Sequence, residues 1–347
     1  MKLGSLTLTN IRNHTKIQLN FTDTTIILGQ NTAGKTSILE AIHILSNGKS
    51  FRADEDKDVI QTSEEFARIE TEVLGEDKTI LTVIFSLKLS RLSKKYLING
   101  VGRRHAEFIP YITTVLFTPE DLDLLVGSPS LRRNFLNSVL SQSEKGYKVS
   151  LLIYEKALKQ RNRMLYLTRE GKKHFGIHEF EYWDNLLIQH GNILTQKREE
   201  FIEYLNSSQK AIFQFEVIYD KSIISRARLD QYRDAELGSA TTLVGPQRDD
   251  VFFNFPGRDQ SIREFGSRGQ QRLTVFQLKV LEMIYLENSI GQAPILLLDD
   301  IFSELDDENI HHILELLPNQ QTIITTTHRE FVPKKVLGKK EVEIIQL

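Results

Sequence analysis

A chain of 347 residues, 40% apolar and 26% charged, exceeds the usual single-domain range and can fill a real core, so two domains or lobes are expected. It contains no cysteine, which excludes disulfides, cysteine-ligated zinc and thiol catalysis, and no apolar run approaches the ~20 residues that a membrane helix needs. A net charge of -2 gives no global pull on nucleic acid, so any DNA surface must be a local basic patch.

Residues 1–8 alternate like a strand and hold no signal-peptide core, so a cytoplasmic location is expected. Residues 3–8 and 17–21 are predicted strands, with Asn10-Ile11-Arg12-Asn13-His14 between them. An apolar, β-branched run follows at 24–28. Then comes Gly29-Gln30-Asn31-Thr32-Ala33-Gly34-Lys35-Thr36, and then a helix-like stretch with Ile38, Leu39, Ile42 and Leu45 on one face. Strand, loop and helix is the context that a phosphate loop of the pattern G-x-x-x-x-G-K-[ST] requires. In such a loop the backbone amides cradle phosphate oxygens and the helix start adds its dipole. Lys35 is expected to reach the β- and γ-phosphates of ATP, and the Thr36 hydroxyl to ligate Mg²⁺. A glycine-rich turn without a ligand is the bland alternative.

Further on, 66–74 and 79–89 are predicted strands, the second with Leu81, Val83, Phe85, Leu87 and Leu89 at every other position. Asn99-Gly100 signals a hairpin, 112–117 another strand, and Pro119 the start of helical sequence. From 129 to about 208 the pattern is helical and highly charged. Phe180, Trp183, Leu187, His190, Leu194, Lys197, Phe201 and Tyr204 step by three and four, and Leu151, Tyr154, Leu158 and Leu165 suit a partner helix. This predicts a short antiparallel helical arm at about 145–208, in which His190 and Lys197 mark a thin seam. Two ordinary core helices would give the same stripe. Residues 251–255 return to strand, 270–286 form an amphipathic helix, and 294–298 are apolar throughout, as in a strand buried on both faces. The β-branched run 322–326 is its expected neighbour.

Three distant segments complete the phosphate loop. Ile295-Leu296-Leu297-Leu298-Asp299-Asp300 is a Walker B pattern, with Asp299 expected to hold Mg²⁺ opposite Thr36. Asp300 points elsewhere and suits a catalytic role, orienting or deprotonating the attacking water. Phe265-Gly266-Ser267-Arg268-Gly269-Gln270-Gln271-Arg272 opens a long helix shortly before it. Ser303-Glu304-Leu305-Asp306 and His328 follow it. Together these segments resemble the signature motif, D-loop and switch histidine of ABC-type ATPases. The resemblance implies that Ser267, Gly269 and Gln270 of one subunit meet the γ-phosphate held by the other. It also implies that Ser303, Glu304 and Asp306 form the D-loop, and that His328 joins Lys35 and Asp300 in catalysis.

Within that class the chain resembles the RecF family of bacterial DNA replication and repair proteins. The resemblance rests on Asn10-Ile11-Arg12-Asn13, the phosphate loop through Ile42, Lys49-Ser50-Phe51-Arg52, and Phe117-Thr118-Pro119-Glu120-Asp121-Leu122. It continues through Gly127-x-Pro129-x-x-Arg132-Arg133-x-Phe135-Leu136, Gly245-Pro246-Gln247-Arg248-Asp249-Asp250, the signature, and the double acid Asp299-Asp300. Thr32 stands where the family usually has Gly or Ala, Gln247 where it has His, Leu273 where it has Thr, and Ile11 where it has Phe. The implied fold is an α/β ABC-type ATPase head. A mixed β-sheet lobe I (1–118 and 291–347) carries Walker A and B. A mainly helical lobe II (119–290) carries the arm and the signature at 266–270.

The family's activity would make this chain a weak ATPase that forms an ATP-dependent homodimer and binds gapped, duplex or single-stranded DNA. It would help load recombinase with RecR- and RecO-like proteins. Candidate DNA contacts are Lys94, Lys95, Arg103, Arg104, Arg132 and Arg133, and on the arm Lys156, Lys159, Arg161, Arg163, Lys172 and Lys173. An ABC-type ATPase serving a protein partner, or a static ATP-bound DNA-binding module, would share the same head motifs.

Overall fold

The computed structural model describes residues 2–53, 55–75, 77–89, 91–300, 320–332 and 342–347. Two units emerge, Met1–Asp121 with Glu282–Leu347, and Leu122–Leu281.

The first unit opens with β1 (Lys2–Ile11) and β2 (His14–Asn20), a hairpin, then β3 (Thr24–Leu28), which leads through the phosphate loop into α1 (Lys35–Asn47). β4 (Phe66–Leu74), β5 (Thr79–Lys88), β6 (Arg91–Ile98) and β7 (Val101–Arg103) follow, then α2 (His105–Phe108) and β8 (Thr114–Phe117). After the second unit the chain returns with β11 (Ile295–Asp299), β12 (Thr322–Thr326) and β13 (Val342–Gln346). The mixed strand directions expected for this lobe are divided between two sheets. The antiparallel one runs β2-β1-β4-β5-β6-β7, and β4 alternates buried and open residues as a strand covered on one face must. The parallel one runs β13-β3-β12-β11-β8. Its strands β3, β11 and β12 are buried at every position, which is why their sequences are apolar or β-branched without alternation.

Helix α1 supplies the shared core. Ile38, Leu39, Ile42 and Leu45 are fully buried and pack with Leu6, Leu8, Ile69, Val83 and Phe85 of one sheet and Leu297 and Ile323 of the other. The helix stops at Gly48, whose φ of 75° lets its N–H reach the Ile44 carbonyl at 2.8 Å. Gln321, 3% exposed, clasps the two sheets. Its Nε2 donates to the carbonyls of Leu3 and Thr22, and its Oε1 accepts from the Leu3 N–H.

The second unit contains α3 (Asp123–Val126), α4 (Pro129–Ser143), the long pair α5 (Lys145–Arg169) and α6 (Ile177–Ser207), and β9 (Glu216–Asp220). It continues with α7 (Arg226–Gln231), α8 (Arg233–Ser239), β10 (Asp250–Asn254), α9 (Ile262–Phe265) and the start of α10 (Arg268–Ile290). Helices α5 and α6 form the expected hairpin, with Leu151, Tyr154, Leu165, Leu187, Leu194 and Phe201 in its buried seam. The seam is not thin throughout. Arg161, 3% exposed, pairs with Asp184 at 2.6 Å and with Glu236 at 2.7 Å, so packing against α8 reaches well along the hairpin.

Candidate nucleotide site

Three parallel strands bring the first unit's motif residues to one edge. β12 lies between β3 and β11, pairing Thr326 with Leu28 on one side and Thr325 with Asp299 on the other. The phosphate loop leaves the end of β3, and the Gly29 N–H donates to the Thr326 carbonyl at 3.4 Å. Thr36 and Asp299, distant in sequence, meet here. The Thr36 hydroxyl donates to Asp299 Oδ1 at 3.1 Å, and the Thr325 hydroxyl to the same oxygen at 2.6 Å. Burial raises the Asp299 pKa above its ordinary value, and the two hydroxyl donors oppose that rise.

The loop's backbone suits an anion. Gly34 caps α1 in the left-handed region at φ 91°, and a side chain there would collide with Asn13 and His14. Among the described residues, the N–H groups of Gly34, Lys35 and Thr36 donate to no protein acceptor. Lys35, 7% exposed, is held inside the loop by the carbonyls of Gly29 at 2.7 Å and Gln30 at 3.0 Å. Thr32 sits at φ 81°, a conformation that costs a β-branched residue and explains why Gly suits this position. Gln30, Asn31 and Ala33 complete the loop, the Ala33 N–H closing a turn onto the Gln30 carbonyl at 3.1 Å.

The donor set fits Mg²⁺ nucleotide. A hydroxyl and one carboxylate are what the ion takes from protein when phosphates and water fill its other positions. The described residues hold no cluster of three His, Cys, Asp or Glu that would form an all-protein cage. Asp300 has φ 47°, and its N–H donates to the Thr325 carbonyl and hydroxyl, each at 3.1 Å. That turn takes it off the strand's alternation, and its carboxylate is near enough to add to the rise in the Asp299 pKa. His328 is exposed just beyond β12. Ser303, Glu304 and Asp306 lie outside the described residues.

Sequence reading missed the floor of this loop. Asn13 Nδ2 donates to the Thr32 carbonyl at 3.0 Å, and His14 Nε2–H to the Gly34 carbonyl at 3.1 Å. Arg12 makes a bidentate pair with the fully buried Glu40 of α1, and Ser50 donates to the same carboxylate. The Asn10-to-Asn13 and Lys49-to-Arg52 segments are thus one scaffold behind α1. The signal was present as Arg12 and Glu40, but only the register of β1 against β2 places them.

In the second unit, Ser267 and Gln270 cap α10 reciprocally. Ser267 Oγ accepts from the Gln270 N–H at 3.2 Å, and Gln270 Oε1 from the Ser267 N–H at 2.9 Å. The cap therefore explains Ser and Gln by folding alone. It does not explain Gly269, where an added Cβ would meet only Ser267 Oγ, at 3.9 Å.

Several basic candidates prove structural. Arg132 is 4% exposed, with Nε 2.7 Å and Nη2 3.0 Å from the Asp250 carboxylate and Nη1 on the Gly127 carbonyl, so its guanidinium is spent. Arg161 is likewise consumed by Asp184, Glu236 and Thr242. Arg133 is half-buried and donates to the Asp249 carbonyl at 2.8 Å. Lys94 bonds the Gly48 carbonyl at 2.7 Å and Asp56 at 2.6 Å, and burial lowers its pKa. Lys95, Arg103 and Arg104 at the β6–β7 edge are exposed, as are Lys156, Lys159, Arg163, Lys172 and Lys173.

The Gly245-to-Asp250 segment turns out to be a polar keystone at the base of the hairpin. Arg198, 2% exposed, donates to Asp249 Oδ2 and the Pro246 carbonyl, each at 2.7 Å, and to Asn137 Oδ1 at 2.9 Å. Burial opposes its charge, but Tyr147, Asp249 and Tyr219 hold its pKa above the ordinary value. Asp249, fully buried, also accepts from Tyr219 and from the Ser222 N–H. Gln247 accepts from the Tyr154 hydroxyl and donates to the Val244 carbonyl at 2.8 Å, a dual role that an imidazole also fills.

Comparison with known proteins agrees with this geometry. The family model described as RecF/RecN/SMC N terminal domain matches residues 2–345. The DNA replication and repair protein RecF of Oceanobacillus iheyensis is 32% identical over 365 residues, covering 98% of this chain and 97% of the relative. That of Bacillus thuringiensis strain Al Hakam is 32% identical over 371 residues, covering 100% and 97%. A solved structure of the recombination mediator protein RecF-ATP in the RecFOR pathway superposes with a TM-score of 0.86 at 30% identity, covering 95% of this chain and 93% of that one. Among the described residues no helix is long and apolar enough to cross a membrane.

Proposed function

The chain belongs to the RecF family, and from that premise we propose that it is an ATP-dependent DNA-binding protein of recombinational repair and replication. The observation that carries the reading is the junction of the unpaired loop amides with the Thr36–Asp299 pair. In this reading the loop 29–36 takes the triphosphate through the free amides of Gly34, Lys35 and Thr36 and the Lys35 ammonium. Thr36 and Asp299 would hold Mg²⁺, which when bound neutralises charge between the β- and γ-phosphates. Asp300 orients or deprotonates the attacking water, and exposed His328 approaches the γ-phosphate.

The start of α10 faces the nucleotide of a second copy, with Ser267, Gly269 and Gln270 on its γ-phosphate. An isologous dimer then encloses two nucleotides. Losing the γ-phosphate removes the anion that bridges the copies, so slow hydrolysis times DNA residence. DNA is bound at single-strand gaps, through exposed basic residues such as Lys95, Arg103 and Arg104, and recombinase loading proceeds with RecR- and RecO-like partners. Light scattering tests the sandwich. Wild-type mass doubles with ATP, whereas Ser267→Arg binds ATP and stays monomeric; a variant whose mass still doubles contradicts the arrangement.

A further inference from the structure

The turn between α5 and α6 carries more aromatic surface and more uncommitted positive charge than a solvated connection needs. Tyr182 is 61% exposed and Tyr166 42% exposed. The Tyr182 and Trp183 rings meet edge to face, with centroids 4.9 Å apart. Lys173 Nζ lies 4.5 Å from the Phe175 ring centre, and Lys172 Nζ lies 5.4 Å from that of Tyr166. Between the helices opens a cleft of about 550 Å³, with Arg163, Lys173, Phe175, Glu179, Tyr182 and Trp183 in its wall.

The charges here are unevenly committed. Glu170 pairs with Arg169 at 3.2 Å, Glu181 lies 3.4 Å from His178, and Glu179 accepts the Gly176 N–H at 2.8 Å and keeps its charge on the wall. Among the described residues no carboxylate lies within ion-pair distance of Arg163, Lys172 or Lys173. Arg163 and Lys173 outnumber Glu179 on the wall, and Lys172 lies beside them, so an anion is complementary to the cationic side of this cleft. Charge alone would suit an acidic peptide or duplex phosphate equally well. The exposed aromatic faces select further, because a duplex keeps its bases stacked inside, whereas a single strand offers a flat ring at every nucleotide and an acidic peptide does so only where it carries an aromatic residue. Aromatic platforms beside cations are how single strands are held without sequence readout.

We propose that the tip of the α5–α6 hairpin binds unpaired bases of single-stranded DNA, with Tyr182 and Trp183 stacking on bases and Arg163, Lys172 and Lys173 holding the adjoining phosphates. The inference rests on the DNA-binding reading above and adds a place and a strand preference to it.

Trp183 is the single tryptophan of the chain, so its fluorescence reports on this cleft alone. The full-length protein with ATP is titrated with labelled oligothymidylate, following tryptophan quenching and label anisotropy together. Quenching should saturate with the anisotropy, and a duplex of equal length should leave the fluorescence unchanged. Tyr182→Ala, at an exposed position, should weaken oligothymidylate binding by about 5- to 100-fold without moving the thermal midpoint. Lys172→Gln with Lys173→Gln should reduce the slope of log affinity against log salt by about 1 to 2. An anisotropy rise without quenching, unaffected by Tyr182→Ala, overturns the tip site and leaves DNA binding standing. No anisotropy change with single strand, duplex or gapped DNA overturns both. Quenching by polyglutamate and not by oligothymidylate makes the cleft an acidic-peptide site and overturns the proposal.

Discussion

Replacing Gly269 by alanine separates what the fold needs from what a bound phosphate needs. Gly269 is exposed near the start of α10, in ordinary helical backbone, and the Ser267–Gln270 cap does not depend on it. An added methyl group finds only Ser267 Oγ, at 3.9 Å. Glycine inside a helix is worse than alanine by about 0.5–1 kcal/mol, so the fold alone should gain up to that much from Gly269→Ala. The proposed sandwich predicts the opposite effect on assembly. There the methyl group stands between the helix-start amide and a γ-phosphate, and a hydrogen bond to a charged group contributes about 1.5–3 kcal/mol. A two-fold dimer loses two such bonds, so its association constant should fall by roughly 10²- to 10⁴-fold. Urea unfolding without nucleotide measures the first effect, and sedimentation equilibrium with ATP the second. A stability loss beyond ~1 kcal/mol would show that the glycine serves the fold. An unchanged dimer constant would show that this helix start meets no phosphate.

Three further substitutions test the rest of the structure. Asp249→Ala strands the buried Arg198 guanidinium and should cost about 3–5 kcal/mol in urea unfolding; a loss below ~1 kcal/mol would contradict the keystone. Thr32→Gly relieves a β-branched residue at φ 81° and should raise stability by about 1 kcal/mol after glycine's added chain entropy, so a fall in the thermal midpoint would refute the strain. His190, whose pKa burial lowers from 6.5, binds fewer protons folded than unfolded. Stability should therefore rise with pH up to about 6.5 and be lost as pH falls through the window below it, and His190→Leu should lack that part of the slope; equal pH slopes would contradict the assignment.

The candidate site was legible because its motifs are local. Apolar β3, the loop glycines and the stripe of α1 are contiguous, and the apolar run of β11 ends at Asp299. Bringing Thr36 to Asp299 needed only the two motifs side by side. The contribution of Thr325 was hidden, because it depends on β12 pairing in register between β3 and β11. Asn13 and His14 were hidden for the same reason, since a hairpin's reach toward another loop has no period in sequence. Basic residues were the least readable. Arg132 and Arg161 look like solvated charges until Asp250, Asp184 and Glu236 are found beside them from distant segments. The Gly245-to-Asp250 segment, which sequence marked without explaining, owes its character to Arg198, Tyr219 and Tyr154 around it.

In the proposed function ATP controls DNA binding. Its most direct test is the anisotropy of a labelled gapped duplex at roughly physiological salt, with and without ATP, using Asp300→Asn so that bound ATP persists. Binding should be tight with ATP and weak without it. Equal binding in both conditions would contradict ATP gating and leave a static DNA-binding module.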